Sequence, residues 1–380
     1  MQSRLAAILV IALTGLSSSA QQAPSTRRAI PPGDAPDAVL RPARDVSPKL
    51  KKDEIKKAMR KVGDWEIART ADGLTTDWTF AVLEAGLVEA ADVLQQPAYR
   101  DPVIRMGQEL HWQLGKRLAH ADDQVVGQSY LHLYEQQHDP SMITPLRERF
   151  DQLKTTADNP TAPVWWWCDA LFMAPPVWSG LARVTGDRSY LDYMDRQWWI
   201  TTANLYDANQ HLFSRDAKYL QRTEVNGQKL FWLRGNGWVL AGLARTLKEM
   251  PADYPTRAKY VQMFLDMANR LRDIQGQDGL WRPGLLNQSA YPLPDTSGSA
   301  LVTYGMVWGI NAGILPKKTF EPTVKKAWTG LVSHIYEDGR LGSIQPVGEK
   351  PDAYRETASY VYGVGAFLLT GSELTRMVRH

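Results

Sequence analysis

Six apolar helical stretches recur along the chain, over residues 78–94, 125–134, 170–184, 238–250, 300–314 and 359–369. Each is rich in Ala, Gly, Leu and Val and is apolar nearly all round, the mark of a helix without a solvent face. Each then meets a breaker: Gln96-Pro97, His138-Asp139-Pro140, Thr185-Gly186-Asp187, Pro251-Ala252-Asp253, Leu315-Pro316 and Thr370-Gly371-Ser372. Five are followed by a second, amphipathic helix. In residues 257–274 its apolar side is Tyr260, Val261, Phe264, Leu265, Met267, Ala268 and Leu271. Only a short tail follows the sixth, and the basic stretch 50–62 at the start of the domain is the expected partner for it. Units of this kind must bury one another. Twelve helices in six hairpins predict an all-α closed toroid, an (α/α)6 barrel, over residues 49–380.

Residues 1–20 read as a secretory signal. Arg4 gives the positive start, residues 5–16 are apolar but too short to span a bilayer, and Ser18-Ser19-Ala20 is a small-residue cleavage site. The protein is therefore expected to be exported, to a periplasm or beyond the cell. Residues 21–48 are rich in Pro, Ala, Arg and Asp without apolar periodicity, and read as a flexible leader. Cys168 is the one cysteine, so no intrachain disulfide exists and stability rests on the core. Its apolar neighbours point to an inert buried thiol. A formal charge of +3 without a basic stripe argues against nucleic acid, and no later segment approaches membrane-spanning length. The aromatic set is skewed, with Trp 14 and Tyr 15 against Phe 8. Rings with a flat apolar face and a polar edge suit sugars, although a large helical core also absorbs them.

If the six inner helices run the same way, their N-termini open on one rim. The loops entering that rim are the long ones: 63–77, 119–124, 158–169, 206–237, 276–298 and 336–357. They carry Trp65, Trp165, Trp166, Trp167, Trp232 and Trp281 and most of the unpaired-looking Asp, Arg and His residues. Long connections of that composition are functional more often than accidental. Each helix N-terminus there adds a positive end worth roughly 0.3–1 kcal/mol to a nearby anion. Aromatic walls, carboxylates and converging N-termini suit an anionic sugar.

Three loops hold the candidate chemistry. Asp169 follows Trp165-Trp166-Trp167-Cys168 at the start of an apolar helical run. Indole packing would desolvate its carboxylate and raise its pKa, as a general acid requires. The bland alternative is a helix N-cap among core tryptophans. His120-Ala121-Asp122-Asp123-Gln124 precedes the preceding inner helix, so either acid there is a neighbour for Asp169 or a cap. Two carboxylates across a sugar site are the minimum apparatus for glycosidic chemistry. His120 has no second His at ligand spacing, so no metal site is expected. Between Trp232 and Gly235, Arg234 is placed to hold a substrate carboxylate in a bidentate pair, with Arg215 and Asp216 upstream. A purely structural Arg–Asp loop is the alternative.

The run Trp167-Cys168-Asp169-Ala170-Leu171-Phe172-Met173 resembles the W-x-D-x-L-(F/Y)-M segment of unsaturated glucuronyl and rhamnogalacturonyl hydrolases, glycoside hydrolase family 105 with the related family 88 behind it. Residues 231–243 are similar to the family's W-x-R-x-x-G-W helix start. Asp295-Thr296-Ser297-Gly298 with Tyr304-Gly305 looks like its C-terminal T-S-G segment. The resemblance covers residues 50–369 and implies an (α/α)6 barrel. It implies hydrolysis of lyase-generated oligosaccharides that end in a C4=C5 unsaturated uronic acid, by hydration of the enol ether and without a metal or redox cofactor. Asp169 would then protonate C4 and activate the water, with Asp122 or Asp123 assisting. Arg234, Trp232 and Trp238 would shape the uronate subsite, with Trp167, His120 and Ser297 around it. The family's His-Gly-Trp-Asp type segment is Phe213-Ser214-Arg215-Asp216 here, so Arg215 takes the place of its His. Against this stand an ordinary inverting glycosidase, a polysaccharide lyase with His120 or Tyr219 as base, and a binding protein without turnover.

Overall fold

Asp77, Asp187 and Asp295 each turn the chain into a helix by accepting the N–H two residues on, from Thr79 (2.9 Å), Ser189 (2.9 Å) and Ser297 (3.0 Å). At the far ends Gln95, His138 and Gly186 stop helices in the left-handed region, at φ 55°, 53° and 71°. Between such signals the computed structural model, which describes Gly33 and residues 41–378, is almost wholly helical. Its helices are α1 (Lys52–Thr70), α2 (Trp78–Leu94), α3 (Asp101–Glu109), α4 (Gly127–Gln137), α5 (Thr144–Leu153), α6 (Ala170–Met173) and α7 (Pro175–Thr185). They continue as α8 (Arg188–Leu205), α9 (Leu233–Glu249), α10 (Arg257–Asp273), α11 (Thr296–Asn311), α12 (Lys317–Ser333) and α13 (Val361–Met377). A two-residue hairpin, 206–207 with 212–213, is the one named sheet among the described residues.

The helices α2, α4, α6–α7, α9, α11 and α13 touch in that order, and α13 closes back on α2. This is the inner ring of the (α/α)6 barrel. The remaining helices lie outside it, and α1 packs on α13 and α2, so the start of the domain does supply the sixth outer helix. Closure requires bare backbone. A Cβ on Gly86 of α2 would lie 2.5 Å from the carbonyl oxygen of Gly365 on α13, and one on Gly365 would lie 2.2 Å from that of Val82. Many of the aromatic rings fill the space between the layers. Trp178 stacks on Phe150 at 3.9 Å and Tyr193 at 4.4 Å, and Trp198 meets Tyr260 at 5.2 Å.

Four boundaries differ from the sequence reading. The third inner helix is broken in two, because Pro175 and Pro176 lack the N–H groups that would continue α6 into α7. Helices α9 and α11 begin earlier than expected, so Arg234, Gly235, Ser297 and Gly298 lie in first turns instead of loops. The tail after residue 369 continues α13 to Met377. Helix α1 runs on to Thr70 and takes Trp65 out of the rim loop.

The signal segment 1–20 and most of the leader fall outside the described residues. The end of the leader, 41–48, is held in place where looseness was expected. The Ala43 N–H donates to the Ile335 carbonyl (2.8 Å), the Glu337 N–H to the Arg41 carbonyl (2.8 Å), and Lys61 Nζ to Asp45 (3.1 Å). A Pro-rich composition disfavours helix, but it leaves extended backbone free to pair at an edge.

Candidate active site

The rim gathers residues from five inner-helix entries around one cavity of about 440 Å³, open mouth included. Asp122 and Asp169 face it from the entries to α4 and α6, with Trp167 and Met173 beside them. Arg215 comes from the loop before α9, and Trp232, Arg234 and Trp238 from the start of that helix. Trp78 at the head of α2 and Val347-Gly348 before α13 complete the wall.

Asp169 is 8% exposed and has α-helical dihedrals, and its side chain makes no capping bond. The N-cap alternative therefore fails, and the carboxylate is left to the cavity. Burial pushes its pKa up, against the pull of Arg215, a hydrogen bond from Cys168 and the charge of Arg234. Only one of the three preceding tryptophans lines the cavity with it. Trp165 is buried, its carbonyl accepting from Thr201 Oγ1 (2.7 Å). Trp166 is 44% exposed, with the Arg215 guanidinium 5.4 Å from its ring. The desolvation expected from three indoles thus comes from Trp167 and the surrounding helix heads.

The two acids of the neighbouring loop separate cleanly. The guanidinium of Arg117 holds Asp123, Nη2 to Oδ1 at 2.8 Å and Nε to Oδ2 at 3.1 Å, and the Arg117 main-chain N–H adds a third bond. Burial works the other way, but Arg117 keeps the Asp123 carboxyl below its ordinary range. Asp123 is thus a loop anchor and not the catalytic neighbour allowed by the sequence. Asp122 faces the cavity, and burial first and the Asp169 charge second push its pKa up to about 7. His120 accepts the Asp122 N–H on Nδ1 (3.3 Å), and its ring lies 4.7 Å from that of Trp167. Burial and Arg117 lower its pKa and favour a neutral ring, which props Asp122 from behind.

Arg215 reaches the cavity because its segment is zipped to the Asp169 loop. The Cys168 N–H donates to the Arg215 carbonyl (2.8 Å), and Trp167 pairs with Asp216. Asn236 fixes the same segment from α9, its amide bonding both main-chain groups of Phe213 (2.8 and 3.0 Å). Asp216 takes one Arg215 nitrogen at 2.5 Å, while the Nε is buried without a partner.

Arg234 differs from its expected role. Its two terminal nitrogens donate to the carbonyls of Gln345 (2.7 Å) and Pro346 (2.8 Å). Its guanidinium sits 4.5 Å from the Trp232 ring and 5.1 Å from the Tyr362 ring. At 1% exposure it is a buried clamp on the loop that forms one cavity wall, and Arg215 is the more available cation. Trp232 secures the same loop through Nε1 to Gln345 Oε1 (2.9 Å). Trp238 packs edge-on to Trp78 at 6.3 Å. Ser297 does not reach the cavity. It is fully buried and donates to Asp295 Oδ1 (2.6 Å). Asp295 also accepts the Gln345 N–H (3.2 Å) and lies 3.8 Å from Arg234, so the Asp-Thr-Ser segment positions the wall.

Trp78, Met173, Val347 and Gly348 line the site and were not singled out from sequence. Trp78 does head an apolar run after Asp77, a rim position by the same topology that placed Asp169. Val347-Gly348 carried no signal, because a loop's path is set by Arg234 and Trp232 far away in sequence.

Comparison with known proteins gives the family and the fold. Residues 50–378 match the family model described as Glycosyl Hydrolase Family 88. A curated protein of Formosa agariphila, named unsaturated 3S-rhamnoglycuronyl hydrolase, is 36% identical over 347 residues, 86% of this chain and 92% of that protein. A solved glycosyl hydrolase family 88 structure from Bacteroides vulgatus superposes with a TM-score of 0.82 at 30% identity, covering 86% of this chain and all (100%) of the other. A solved structure of a C. acetobutylicum glycoside hydrolase from family 105 has a TM-score of 0.69 at 19% identity over 84% and 98% of the two chains, a likeness of fold.

Proposed function

This chain belongs to glycosyl hydrolase family 88, and on that footing we propose that it removes a C4=C5 unsaturated uronic acid from the non-reducing end of lyase-generated oligosaccharides. The name of the curated relative makes an unsaturated rhamnoglycuronyl oligosaccharide the first substrate to try. The observation that carries the reading is the pair Asp122 and Asp169, two carboxyls both pushed toward the neutral form in one cavity beside Arg215. Protonating carbon requires a neutral, well-aimed acid near the working pH, which this burial supplies.

Asp169 donates its proton to C4 of the enol ether, and positive charge develops at C5, shared with the ring oxygen. Water adds at C5 and returns a proton to Asp169, with Asp122 orienting it. The product is a hemiketal. Its C5–ring-oxygen bond opens to a ketone and leaves a hemiacetal at C1. That hemiacetal collapses to an aldehyde and releases the remaining sugar as an alcohol. One water is consumed and the acid is regenerated. Arg215 pairs with the substrate carboxylate, as a partly free guanidinium beside the acid is suited to do. Trp167, Trp232 and Trp238 bound the ring.

The test is a lyase digest of a pectic or rhamnose–uronate polymer incubated with the protein. Loss of the enol-ether absorbance in the near ultraviolet is expected, and Asp169→Asn should abolish it while substrate still binds. A rise in that absorbance on intact polymer would mean a lyase, and new reducing ends on saturated substrate an ordinary glycosidase. The N-terminal sequence supports export with cleavage after Ala20. Mass spectrometry of the secreted protein checks this.

A further inference from the structure

The chain between α12 and α13, residues 334–360, carries no helix, yet it supplies one wall of the catalytic cavity through Val347 and Gly348. Arg234 holds its middle by the carbonyls of Gln345 and Pro346. A long irregular segment pinned at one place keeps much of its conformational freedom. Its two ends are pinned by the leader, a stretch to which the hydrolase reading gives no role.

At the first end Pro42 pairs with Tyr336, the Ala43 N–H donates to the Ile335 carbonyl (2.8 Å), and the Arg41 carbonyl accepts the Glu337 N–H (2.8 Å). Lys61 of α1 ties the two partners together, its Nζ donating to Asp45 (3.1 Å) and to the Glu337 carbonyl (3.0 Å). Ile335 also pairs with Leu341, so the leader runs along the turn from which the wall departs. At the second end Gly33 pairs with Tyr360. Arg69 of α1 joins this contact to the core: Nη1 donates to the Gly33 carbonyl (2.6 Å), and Nη2 to the fully buried Glu66 (2.7 Å). The Tyr360 ring lies 5.8 Å from that of Tyr362, which stacks on Trp78 at 5.2 Å and donates its hydroxyl to the Gln345 carbonyl. Trp78 lines the cavity, so Tyr360 stands two ring contacts from it.

We propose that the leader is a strap on the catalytic wall, and that Ala43 and Arg69 are positioning residues for substrate binding. Neither lines the cavity. Ala43 fixes the start of residues 334–360 and Arg69 the end. With both ends held, Trp78, Val347 and Gly348 meet the substrate already placed, and binding does not have to order them. Asp122 and Asp169 come from loops 119–124 and 158–169, which share no hydrogen bond with the strap among the described residues. The strap therefore acts on substrate affinity and leaves proton transfer alone. Its kinetic reading rests on the hydrolase reading above.

Two substitutions in the full chain cut the strap one end at a time. Ala43→Pro removes the N–H given to Ile335. Arg69→Lys keeps a charge for Glu66 and loses the second arm that reaches Gly33. Each should raise KM about threefold and the two together about tenfold, with kcat within about twofold of wild type. Hydrogen exchange should quicken at the amides of Ile344 and Gln345, which donate to the Ala358 carbonyl (2.9 Å) and to Asp295 (3.2 Å) inside the wall. An unchanged KM in the double variant overturns the proposal, whatever its melting temperature, because the leader then only staples the fold. If the double variant does not fold, Ala43→Pro alone decides by the same KM reading. Wild-type protein inactive on every unsaturated oligosaccharide would instead overturn the hydrolase reading, and exchange at Ile344 and Gln345 would then decide the strap.

Discussion

Cys168 Sγ lies 3.2 Å from Asp169 Oδ1, so the thiol of one residue donates to the carboxyl of the next. Both are buried, and burial pushes the thiol pKa well up, so the sulfur keeps its proton to give. An Oδ1 that accepts this proton leaves Oδ2 to carry the acidic one. The thiol expected from sequence to be inert is therefore a positioning residue for the acid. Donation to a carboxylate favours its charged form, so the bond lowers the Asp169 pKa against the larger effect of burial. Asp122, Asp216, Arg215 and Arg234 supply the other charges around the acid.

Cys168→Ala should therefore keep Asp169 protonated to higher pH, and the alkaline limb of the kcat/KM profile should move up. Turnover at the optimum should fall by about tenfold or less, against the ~10²–10⁴-fold typical of losing the acid itself. Cys168→Ser, which retains a donor, should move the limb back. An alkaline limb unmoved in the alanine variant would remove Cys168 from the mechanism.

Asp122 makes a prediction about stability. Its carboxyl titrates near 7 in the folded chain and near 3.8 when exposed. The fold thus favours the neutral form, and that contribution is complete below pH 3.8 and lost as pH rises through 7. The gap corresponds to about 2–4 kcal/mol of instability above neutrality, allowing for residual exposure. Asp122→Asn should raise the melting temperature by several degrees at pH 8 and by far less at pH 4, while lowering kcat. Equal shifts at the two pH values would argue against a strained acid at this position.

The ring of six hairpins and the acid loops were legible in the sequence because both depend on local signals. Apolar periodicity and breakers mark the helices, and topology then puts 119–124 and 158–169 side by side. The choice between Asp122 and Asp123 was not legible, since it turns on Arg117 folding back over a six-residue loop. Arg234 is legible as a cation of the rim, but its partners within the protein are not. Its motif marks a guanidinium near the substrate, and nothing local reveals that the carbonyls 111 and 112 residues away occupy it. The break at Pro175-Pro176 interrupts a stretch whose apolar pattern is continuous over 170–184, and helices α9 and α11 start before that pattern does. Polar first turns such as Leu233–Gly237 lack the apolar pattern that defines the rest.

The clamp role of Arg234 is separable from a substrate role. Lysine in its place keeps the charge and loses the planar fork that serves two carbonyls and stacks between Trp232 and Tyr362. Arg234→Lys should cost about 2–3 kcal/mol and loosen residues 345–348. Faster proteolysis in that loop and a rise in KM are the expected readings. A substrate-binding role alone would raise KM without a change in melting temperature or proteolysis.

Gly235 offers the sharpest test of how tightly the acid is held. It stands in the first turn of α9, directly against the Cys168–Asp169 pair. A Cβ there would lie 2.9 Å from Cys168 Sγ and 3.4 Å from Asp169 Oδ1. The second distance is ordinary contact, but the first is too short, so the helix must shift or the sulfur that donates to this carboxyl must move. The backbone is ordinary helix, so alanine is welcome to the fold and its effect is steric. Displacement of a catalytic group by about 1 Å costs on the order of 10²-fold. Gly235→Ala should therefore lower kcat by about that factor with KM little changed, and the protein should melt within a few degrees of wild type. Cys168→Ala added to it opens the space the new methyl needs and should recover part of kcat. A double variant no faster than Gly235→Ala would show that the methyl acts on the helix rather than through the thiol.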